Sequence, residues 1–400
     1  MTHLDPLILT LNAGSSSLKF AAFRLANGNE PNLLASGQIE GIGATAKGAV
    51  RMASGETAEL AFERSSARVD HTAAMGAILG WLKKAGYDSS VAAVGHRVVH
   101  GGPDYAEPVL IDDATLRRLR ALIPLAPLHQ PHNVAGVEAA MKAFPSTPQV
   151  ACFDTAFHRS HPFIDDTFAL PRSYYDEGVR RYGFHGLSYE YVTGRLKEIA
   201  PLDEQGGVVV MHLGNGASMC AIRDGQSIGS SMGFTALDGL PMGTRCGQLD
   251  PGVVLYLLKE KGMTEDQIED LLYRRSGLKG LSGLSQDMRE LEAAGTPQAM
   301  QAIDYFVYRI RRELGSMAVV LSGLDAVVFC GGIGENAWRI RERVCAGFEW
   351  LGVELDEARN QTGETVISSD RSRVRVFVIK TNEEMTIARH TARLLAASRT

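Results

Sequence analysis

Residues 7–23 read LILTLNAGSSSLKFAAF, in which two apolar runs flank the polar insert Asn12-Ala13-Gly14-Ser15-Ser16. The runs predict two β-strands, and Asn, Gly and Ser are common turn residues, so the stretch predicts a buried hairpin. A second interpretation gives the turn a function, because Gly and Ser in a bend present N–H and hydroxyl donors to an anion. The local sequence fits both interpretations, and the remainder of the chain favours the second.

Two further glycine clusters extend this pattern. Residues 208–225 read VVVMHLGNGASMCAIRDG, which is again an apolar strand, a bend with Asn, Gly and Ser, and a second apolar strand. Residues 326–336 read AVVFCGGIGEN, a buried β-branched run that leads through glycines to a predicted helix. Glycine allows the close backbone approach that hydrogen bonds to phosphate oxygens require. The three clusters predict a nucleotide site made of separate glycine turns, in a cleft between two similar domains.

The remaining pattern alternates strands with helices and predicts an α/β fold in two domains, because 400 residues exceed the usual size of one hydrophobic core. Apolar spacing predicts helices over 71–85 and 303–314, and T-x-x-E at 381–384 predicts a capping box that starts the last helix. The GGIG spacing is not that of a Rossmann domain, and the P-loop motif is absent. The strand-like runs are 7–11, 17–23, 91–94, 208–213, 218–222, 326–330 and 374–379.

Composition narrows the functional classes. The net charge of −5 provides no basic surface for nucleic acid, so no nucleic-acid partner is expected. Five scattered cysteines without a C-x-x-C motif indicate reduced thiols rather than a disulfide framework. The N-terminus MTHLDPLILT lacks a secretory pattern, and no apolar run reaches membrane-spanning length. We therefore expect a cytoplasmic protein without a membrane partner.

Several longer motifs, spread in order along the whole chain, resemble the acetokinase family. They are LNAGSSSLKF, GHRVVHGG (95–102), FDTAFH (153–158), RRYGFHGLS (180–188), HLGNGAS (212–218), MGFTALDGLPMGTRCGQLDP (232–251), GGIGEN (331–336) and TNEEMTIARHT (381–391). The resemblance implies two actin-like (ribonuclease H-like, ASKHA) domains with an interdomain nucleotide cleft, and a homodimer. The implied bounds are 1–153 plus 385–400 for the N-terminal domain, and 154–384 for the C-terminal domain with the nucleotide site.

The resemblance also implies an activity, which is reversible, Mg²⁺-dependent phosphoryl transfer from ATP to acetate, giving acetyl phosphate and ADP; Mn²⁺ is a possible substitute metal. It assigns catalytic roles to Asp154, His185 and Arg245, and metal contacts to Asn12 and Glu383. Arg97 would meet the substrate carboxylate in a small apolar pocket with Val99, Leu128, Phe184 and Ala236. The implied ATP contacts are Lys19, His212, Leu213, Gly214, Asn215, Gly216, Asp287, Met288, Arg289, Gly332, Ile333, Gly334, Glu335 and Asn336.

Ordinary structural roles compete with several of these assignments. Arg97 and Arg245 could be surface arginines, and His185, next to an aromatic residue, could be a satisfied core histidine. Asp154 is the family's acid/base, yet a carboxylate substrate is already ionised at pH 7 and needs no base. Asp154 could instead orient an arginine or the metal's water shell.

Further alternatives concern Glu383, which could simply be an acid favoured at a helix N-terminus, and Lys19, which could be a solvated lysine. The pairs His96/His100 and His129/His132 have spacings seen in zinc sites, but no ligand set is completed near them.

Three local departures from the family pattern bear on function. The family commonly has proline where this chain has Ala236, which leaves more room and would ease acceptance of propionate. SQDMRE replaces the usual S-S-D-x-R-D around Asp287, and PLHQPHN (127–133) differs from the common P-L-H-N form. The alternatives considered are a propionate or other short-chain carboxylate kinase, a sugar kinase of the same fold, and an Hsp70-like nucleotide switch.

Overall fold

The opening stretch forms the expected hairpin in a computed structural model of the chain, which describes residues 5–25, 30–62, 69–200 and 206–397. Strand β1 (Leu7–Ala13) pairs antiparallel with β2 (Ser17–Leu25), and the Gly14 N–H donates to the Ser17 carbonyl across the turn at 2.8 Å. Both strands are almost entirely buried, as their apolar runs require.

The other strands follow in chain order. They are β3 (Pro31–Glu40), β4 (Lys47–Met52), β5 (Thr57–Glu59), β6 (Val91–Val98), β7 (Val109–Leu110), β8 (Gln149–Phe153), β9 (Gly207–Leu213), β10 (Ala217–Arg223), β11 (Gln226–Ser230), β12 (Ala326–Cys330) and β13 (Arg375–Val378). The predicted strands are all present, most of them one to four residues longer than the apolar run that indicated them.

The α-helices are α1 (His71–Lys84), α2 (Asp113–Ala121), α3 (Gln130–Ala143), α4 (Phe163–Asp166), α5 (Arg172–Asp176), α6 (Gly186–Ile199), α7 (Pro251–Lys259), α8 (Glu265–Arg274), α9 (Gly277–Ser282), α10 (Met288–Ala294), α11 (Pro297–Val320), α12 (Gly331–Asn336), α13 (Trp338–Cys345), α14 (Glu357–Thr362) and α15 (Glu383–Ala397). The helices predicted over 71–85 and 303–314 correspond to α1 and to the middle of the longer α11. None of the helices in the part of the chain that the structure describes is long and apolar enough to cross a membrane.

The chain divides into two compact units. The first comprises the described residues up to Ala156 together with those from Asn382 onward, and the second spans Phe157–Thr381. The bounds expected from the sequence placed 154–156 and 382–384 in the second domain, but Asp154 and Glu383 both contact Arg97 on β6 and so lie in the first unit. The ends of the expected domains, 1–4 and 398–400, lie outside the described residues.

Both units are built on the same sheet pattern, which confirms the predicted α/β class. The first sheet has the order β5-β4-β3-β2-β1-β6-β8-β7, and the second has the order β11-β10-β9-β12-β13. In each sheet a hairpin, β1–β2 or β9–β10, is extended by two parallel strands, β6–β8 or β12–β13. The repeat seen between residues 7–23 and 208–225 therefore reflects equivalent positions in two sheets.

Two local expectations are wrong. Thr381 does not cap the last helix; the Met385 N–H donates to Asn382 Oδ1 at 3.0 Å, while the Thr381 hydroxyl bonds Ser188 Oγ in the second unit. The cluster at 331–336 is not an open turn but the short helix α12. Gly331 enters this helix with φ +76° because it lies against the backbone of Leu213, where a Cβ would stand 2.8 Å from the carbonyl oxygen.

Helix α15 packs closely on β6, which leads to a prediction about stability. A Cβ on Gly95 would lie 2.3 Å from Thr391 Oγ1 and 2.6 Å from Ile387 Cγ2 of that helix. Gly95→Ala should therefore lower the free energy of unfolding by about 1–3 kcal/mol, measured as a lower urea midpoint. Gly76→Ala is the matched control, because a Cβ there meets nothing within 4 Å in α1 and should stabilise by up to about 1 kcal/mol. Equal midpoints for the two variants would contradict the close packing.

Candidate active site

In the first unit, three predicted site residues meet at the edge where parallel strands end. Asn12 is next to last in β1, Arg97 is next to last in β6, and Asp154 directly follows β8. Neighbouring parallel strands bring their carboxyl ends to one edge of a sheet, which is where α/β proteins commonly bind ligands. The strand order β1-β6-β8 therefore places these side chains together.

Arg97 is the centre of this group. Its Nη2 lies 2.6 Å from Asp154 Oδ2, and its Nε donates to the same carboxylate at 3.0 and 3.1 Å. Its Nη1 donates to Asn12 Oδ1 at 3.4 Å, and its Nε lies 3.5 Å from Glu383 Oε2 at the start of α15. The Asp154 side chain is 2% exposed and that of Arg97 20%. Arg97 is thus a positioned, mostly buried guanidinium rather than a surface arginine.

Burial and charge act on these groups in different directions. The pKa of Asp154 is raised to about 6, chiefly by burial. Arg97 lowers this pKa by its charge and its hydrogen bonds, and the nearby charge of Glu383 raises it further. Burial disfavours the charged form of Arg97, but Asp154 and Glu383 outweigh this effect and raise its pKa. At neutral pH the group therefore contains an intact ion pair and a second carboxylate.

That second carboxylate bears on the expected metal site. Asp154 and Glu383 together carry one negative charge more than Arg97 balances, and Asn12 adds an amide oxygen. Mg²⁺ prefers oxygen ligands, keeps several waters and needs only one or two carboxylates from the protein, so these residues fit it. No cluster of three or more His, Cys, Asp or Glu side chains that could hold a metal occurs within the described residues.

The other predicted residues of the first unit are Lys19, Val99 and Leu128. Lys19 is exposed on β2, directly opposite Asn12 in the strand pairing. Val99 is buried and Leu128 half-buried. Asn133 of α3, which the sequence did not single out, accepts from the Val99 N–H at 2.9 Å and donates to the Ala13 carbonyl at 2.7 Å. Asn133 thereby ties the ends of β1 and β6 together.

In the second unit, His185 occupies the turn before α6. Its backbone is left-handed (φ 60°, ψ 23°), a conformation uncommon outside glycine. Its ring stacks on His212 at 4.2 Å between centroids, and its Nδ1 lies 2.8 Å from Ser218 Oγ. His212 Nδ1 in turn lies 2.8 Å from Ser188 Oγ. Both predicted histidines are therefore held in a polar network beside the glycine turn at 214–216.

Arg245 reaches the same turn. A Cβ on Gly216 would lie 3.3 Å from both Arg245 Nη2 and His185 Nε2, so both side chains face this glycine. Arg245 Nη1 donates to the Ala236 carbonyl at 2.7 Å, and within the described ranges no carboxylate lies in salt-bridge distance of it. Burial lowers the pKa of Arg245, an effect that the nearby Tyr273 opposes. A half-buried guanidinium without a carboxylate partner suits the binding of an external anion.

The three predicted nucleotide segments line one pocket of about 470 Å³ in the second unit. Gly214 and Asn215 come from the β9–β10 turn, Gly332, Ile333 and Asn336 from α12, and Asp287, Met288 and Arg289 from the start of α10. Asp287 caps α10 and pairs with the exposed Arg289 at 2.6 Å, and hydrogen bonds from Arg289 lower the pKa of Asp287 to about 2. The pocket also contains three residues that the sequence did not indicate: Gln286, Glu292 and Ala337.

The remaining predicted residues of the second unit do not line this pocket. Leu213 and Gly334 are buried. Glu335 Oε1 accepts from the N–H groups of Gly331 and Thr381 at 3.0 and 3.2 Å. Phe184 is 2% exposed, and Ala236 is half-buried with its carbonyl on Arg245. The roles of all predicted site residues stay predictions.

An α/β fold in which side chains suited to binding an anion lie beside a glycine-lined pocket is the arrangement expected of a nucleotide-binding enzyme. The model of the acetokinase family matches residues 7–389. The acetate kinase of Methylocella silvestris is 62% identical over 396 residues, covering 97% of this chain and 98% of its own. The chain belongs to the acetokinase family.

Solved structures agree with this assignment. A propionate kinase from Francisella tularensis has a TM-score of 0.90 and 37% identity, covering 97% of this chain and 99% of its own. An acetate kinase from Porphyromonas gingivalis has a TM-score of 0.87 and 39% identity, covering 98% and 100%.

The raised pKa of Asp154 predicts the sign of a pH effect. The carboxyl titrates near pH 6 in the folded chain and near 4 when unfolded, so between these values only the unfolded chain releases its proton. The free energy of unfolding of the wild type minus that of Asp154→Asn should therefore fall as the pH rises from about 4 to about 6, and it should stay constant above that. Urea unfolding of both proteins across this range measures the difference.

Asp112→Asn provides a control of opposite sign. Asp112 is an exposed helix cap whose pKa is lowered, chiefly by the Thr115 N–H. Its contribution to stability should be present at neutral pH and should decline as pH falls below about 4. If the stability difference between the wild type and Asp154→Asn also declined as the pH fell, the attraction of Arg97 rather than burial would determine the pKa of Asp154.

Proposed function

We propose that the chain transfers the γ-phosphoryl group of ATP reversibly to acetate, giving acetyl phosphate and ADP. The observation that carries the proposal is membership of the acetokinase family across residues 7–389, together with 62% identity to the acetate kinase of Methylocella silvestris. The glycine-lined pocket and the half-buried arginines support it, because phosphoryl transfer depends mainly on positioning and on offsetting charge.

The chemistry needs no proton transfer. A carboxylate oxygen of acetate attacks the γ-phosphorus, the bond from that phosphorus to the oxygen bridging it to the β-phosphate breaks, and the electron pair leaves with ADP. Acetate is ionised at pH 7, so its oxygen is already nucleophilic. The three contacts between Asp154 and Arg97 favour a positioning role for Asp154 over that of a base.

The first unit would supply the carboxylate and metal contacts. Arg97 would pair with the acetate carboxylate, with Val99 and Leu128 beside the methyl group. Asn12 and Glu383 would hold Mg²⁺, or Mn²⁺ in its place, which when bound would neutralise phosphate charge. Lys19, opposite Asn12, would reach a phosphate oxygen.

The second unit would supply the nucleotide and phosphoryl contacts. The pocket formed by the turn at 214–215, the start of α10 and α12 would bind ATP. Arg245 and His185, which both face Gly216, would donate to the phosphoryl oxygens during transfer. These donors offset the repulsion between an anionic acceptor and an anionic phosphoryl group.

Propionate is the second candidate substrate. Ala236, where the family commonly has proline, leaves more room, and the structure with TM-score 0.90 is described as a propionate kinase. One additional methylene changes discrimination by only about 1–3 kcal/mol, so we expect both acids to be accepted. A sugar kinase or an Hsp70-like switch would form no acyl phosphate, which separates those classes experimentally.

We also propose that the protein is a cytoplasmic homodimer. The structure describes all five cysteines and places none of them in a disulfide bond, which fits a reducing compartment. Helix α7 has no buried residue although four of its side chains are large and apolar, with exposures from 37% to 52% (Val253, Leu255, Tyr256 and Leu258). A helix of this kind is typical of a surface covered by a second copy.

Trapping with hydroxylamine tests the activity. Acyl phosphates form hydroxamates, so ATP, Mg²⁺ and acetate should yield a hydroxamate, with propionate accepted and butyrate included for comparison.

Arg245→Ala should lower kcat by at least about 10²-fold, the scale of losing one preorganised donor. Lys279→Ala, a solvent-exposed position outside the proposed contacts, should retain activity. ATP hydrolysis without hydroxamate formation would contradict the proposal.

The proposed dimer can be tested by measuring the molar mass of the protein in solution. Light scattering after gel filtration should give twice the chain mass of 43.2 kDa for the wild type, and Leu255→Glu should shift it toward the monomer. Val319→Glu is the matched control, because Val319 is 78% exposed at the far end of α11 and lies outside the proposed surface. A monomeric wild type, or a dimer unaffected by Leu255→Glu, would contradict the assignment of α7.

A further inference from the structure

Helix α12 forms one wall of the glycine-lined pocket in the second unit. It has only six residues, Gly331–Asn336, of which Gly332, Ile333 and Asn336 line the pocket. A helix shorter than about 12 residues is marginal in water unless other groups support it. The N–H groups at its start and the carbonyl groups at its end also lack partners within the helix. The position of this wall therefore depends on the side chains that bind the two ends of α12.

A carboxylate binds the start of the helix. The side chain of Glu335 turns back along α12, and its Oε1 accepts from the Gly331 N–H at 3.0 Å. The same oxygen accepts from the Thr381 N–H at 3.2 Å, which connects the start of α12 to the segment that follows β13. A negative charge is favourable at the N-terminus of a helix. The carboxylate is thus occupied by N–H groups of the protein itself.

A guanidinium binds the end of the helix. Arg341 of α13 is 1% exposed, and its Nη1 donates to the carbonyl groups of Gly334 at 3.0 Å and Glu335 at 2.9 Å. Its Nη2 and Nε donate to the carbonyl oxygen and Oδ1 of Asn360 in α14, at 2.6 and 2.8 Å. The Asn360 amide is oriented in turn, because its Nδ2 donates to the Trp338 carbonyl at 3.0 Å. Arg341 therefore connects the end of α12 to α14.

The two charges are not used as an ion pair. Their partners are backbone groups and one amide, and in the part of the chain that the structure describes neither side chain takes part in a salt bridge. A buried charge is costly unless several hydrogen bonds satisfy it. Hydrogen bonds to a charged group are also stronger than those between neutral groups. Glu335 and Arg341 thus concentrate strong hydrogen bonds on the two ends of one short helix.

We propose that Glu335 and Arg341 are positioning residues that hold α12, and with it this wall of the pocket, in place for the nucleotide. The proposal deepens the proposed function and rests on it for the identity of the nucleotide. It also replaces the role of ATP contact that the family resemblance implied for Glu335.

This role has a distinct kinetic consequence. If the wall is in place in only a fraction of the molecules, the apparent affinity for the nucleotide falls by that fraction. The complex that does form is unchanged, so the transfer step proceeds as before. Loosening α12 should therefore raise KM for ATP, while kcat and KM for acetate stay within about twofold.

Hydrogen exchange of the full chain without nucleotide tests the end contacts themselves. Arg341→Lys keeps the charge but loses the planar set of donors, and Glu335→Ala removes the acceptor of two N–H groups. Segment 331–337, in which the Gly331 and Ala337 N–H groups are hydrogen-bonded, should exchange at least about tenfold faster in both variants. Glu335→Gln retains an acceptor oxygen and should stay within about threefold of the wild type.

Calorimetric titration with ADP and Mg²⁺ measures the consequence for binding. Kd should rise at least about fivefold in Arg341→Lys and Glu335→Ala, and KM for ATP should rise in parallel. Arg359→Lys is the matched control in α14, because the Arg359 side chain bonds the Ser368 carbonyl and Asp370. This control should leave both Kd and the exchange of segment 331–337 unchanged.

The outcomes separate this inference from the proposed function. A wild type that binds no ADP would refute the nucleotide site, while the exchange rates would still decide whether the two residues hold α12. Faster exchange with an unchanged Kd, or a raised Kd with unchanged exchange, would overturn the positioning role. A loss of kcat as large as the rise in KM would do the same. If Arg341→Lys fails to fold by circular dichroism, the half-buried Glu335 and its two variants decide.

Discussion

The strand register is the constraint on which the rest of the structure depends. In each sheet a hairpin is continued by parallel strands, so its turn lies at the edge where those strands end. In the first unit this edge holds Asn12, Arg97 and Asp154; in the second, the ends of β9 and β12 place the glycine turn beside α12. A one-residue slip would turn every side chain to the opposite face, so the register and the site are fixed together.

Arg97 and Arg245, both half-buried, differ in a way that matters for chemistry between anions. Arg97 is held by Asp154 and lies near Glu383, so its charge is compensated and its position is well defined. Arg245 donates to a backbone carbonyl instead, and its charge is left for an external group. A guanidinium paired with carboxylates, such as Arg97, attracts a further anion less strongly but is held in a defined orientation. A guanidinium without such a partner, such as Arg245, keeps its full attraction for an anion. A carboxylate acceptor needs the first property, and a phosphoryl group in transfer needs the second.

The sequence predicted those features that have a local signal. Short buried runs such as 7–11 and 326–330 indicated strands. Two of the three glycine clusters, 214–216 and 331–336, contribute to one pocket, whereas the cluster at 12–16 lies in the first unit and does not line it; the pocket's third segment, 287–289, was indicated by the family resemblance. Strands β3 and β4 have mixed burial and were not predicted. The capping box was wrong because Asn382, one residue later, competes for the same role. Asn133 and Ser218 act through contacts with residues distant in the chain, and no local pattern indicates such contacts.

The turn at His185 shows why such distant contacts are needed. A left-handed histidine is strained, and the structure around it must hold that conformation. His158 does so from one side: burial lowers its pKa to about 3, so it is neutral, and its Nε2 contacts the Phe184 carbonyl while its Nδ1 contacts Ser227 Oγ at 2.8 Å. Ser218 does so from the other side, at the ring. Because neutral buried groups hold both the backbone and the ring, the proposed donor would be oriented before an anion binds, and no reorganisation would be required during transfer.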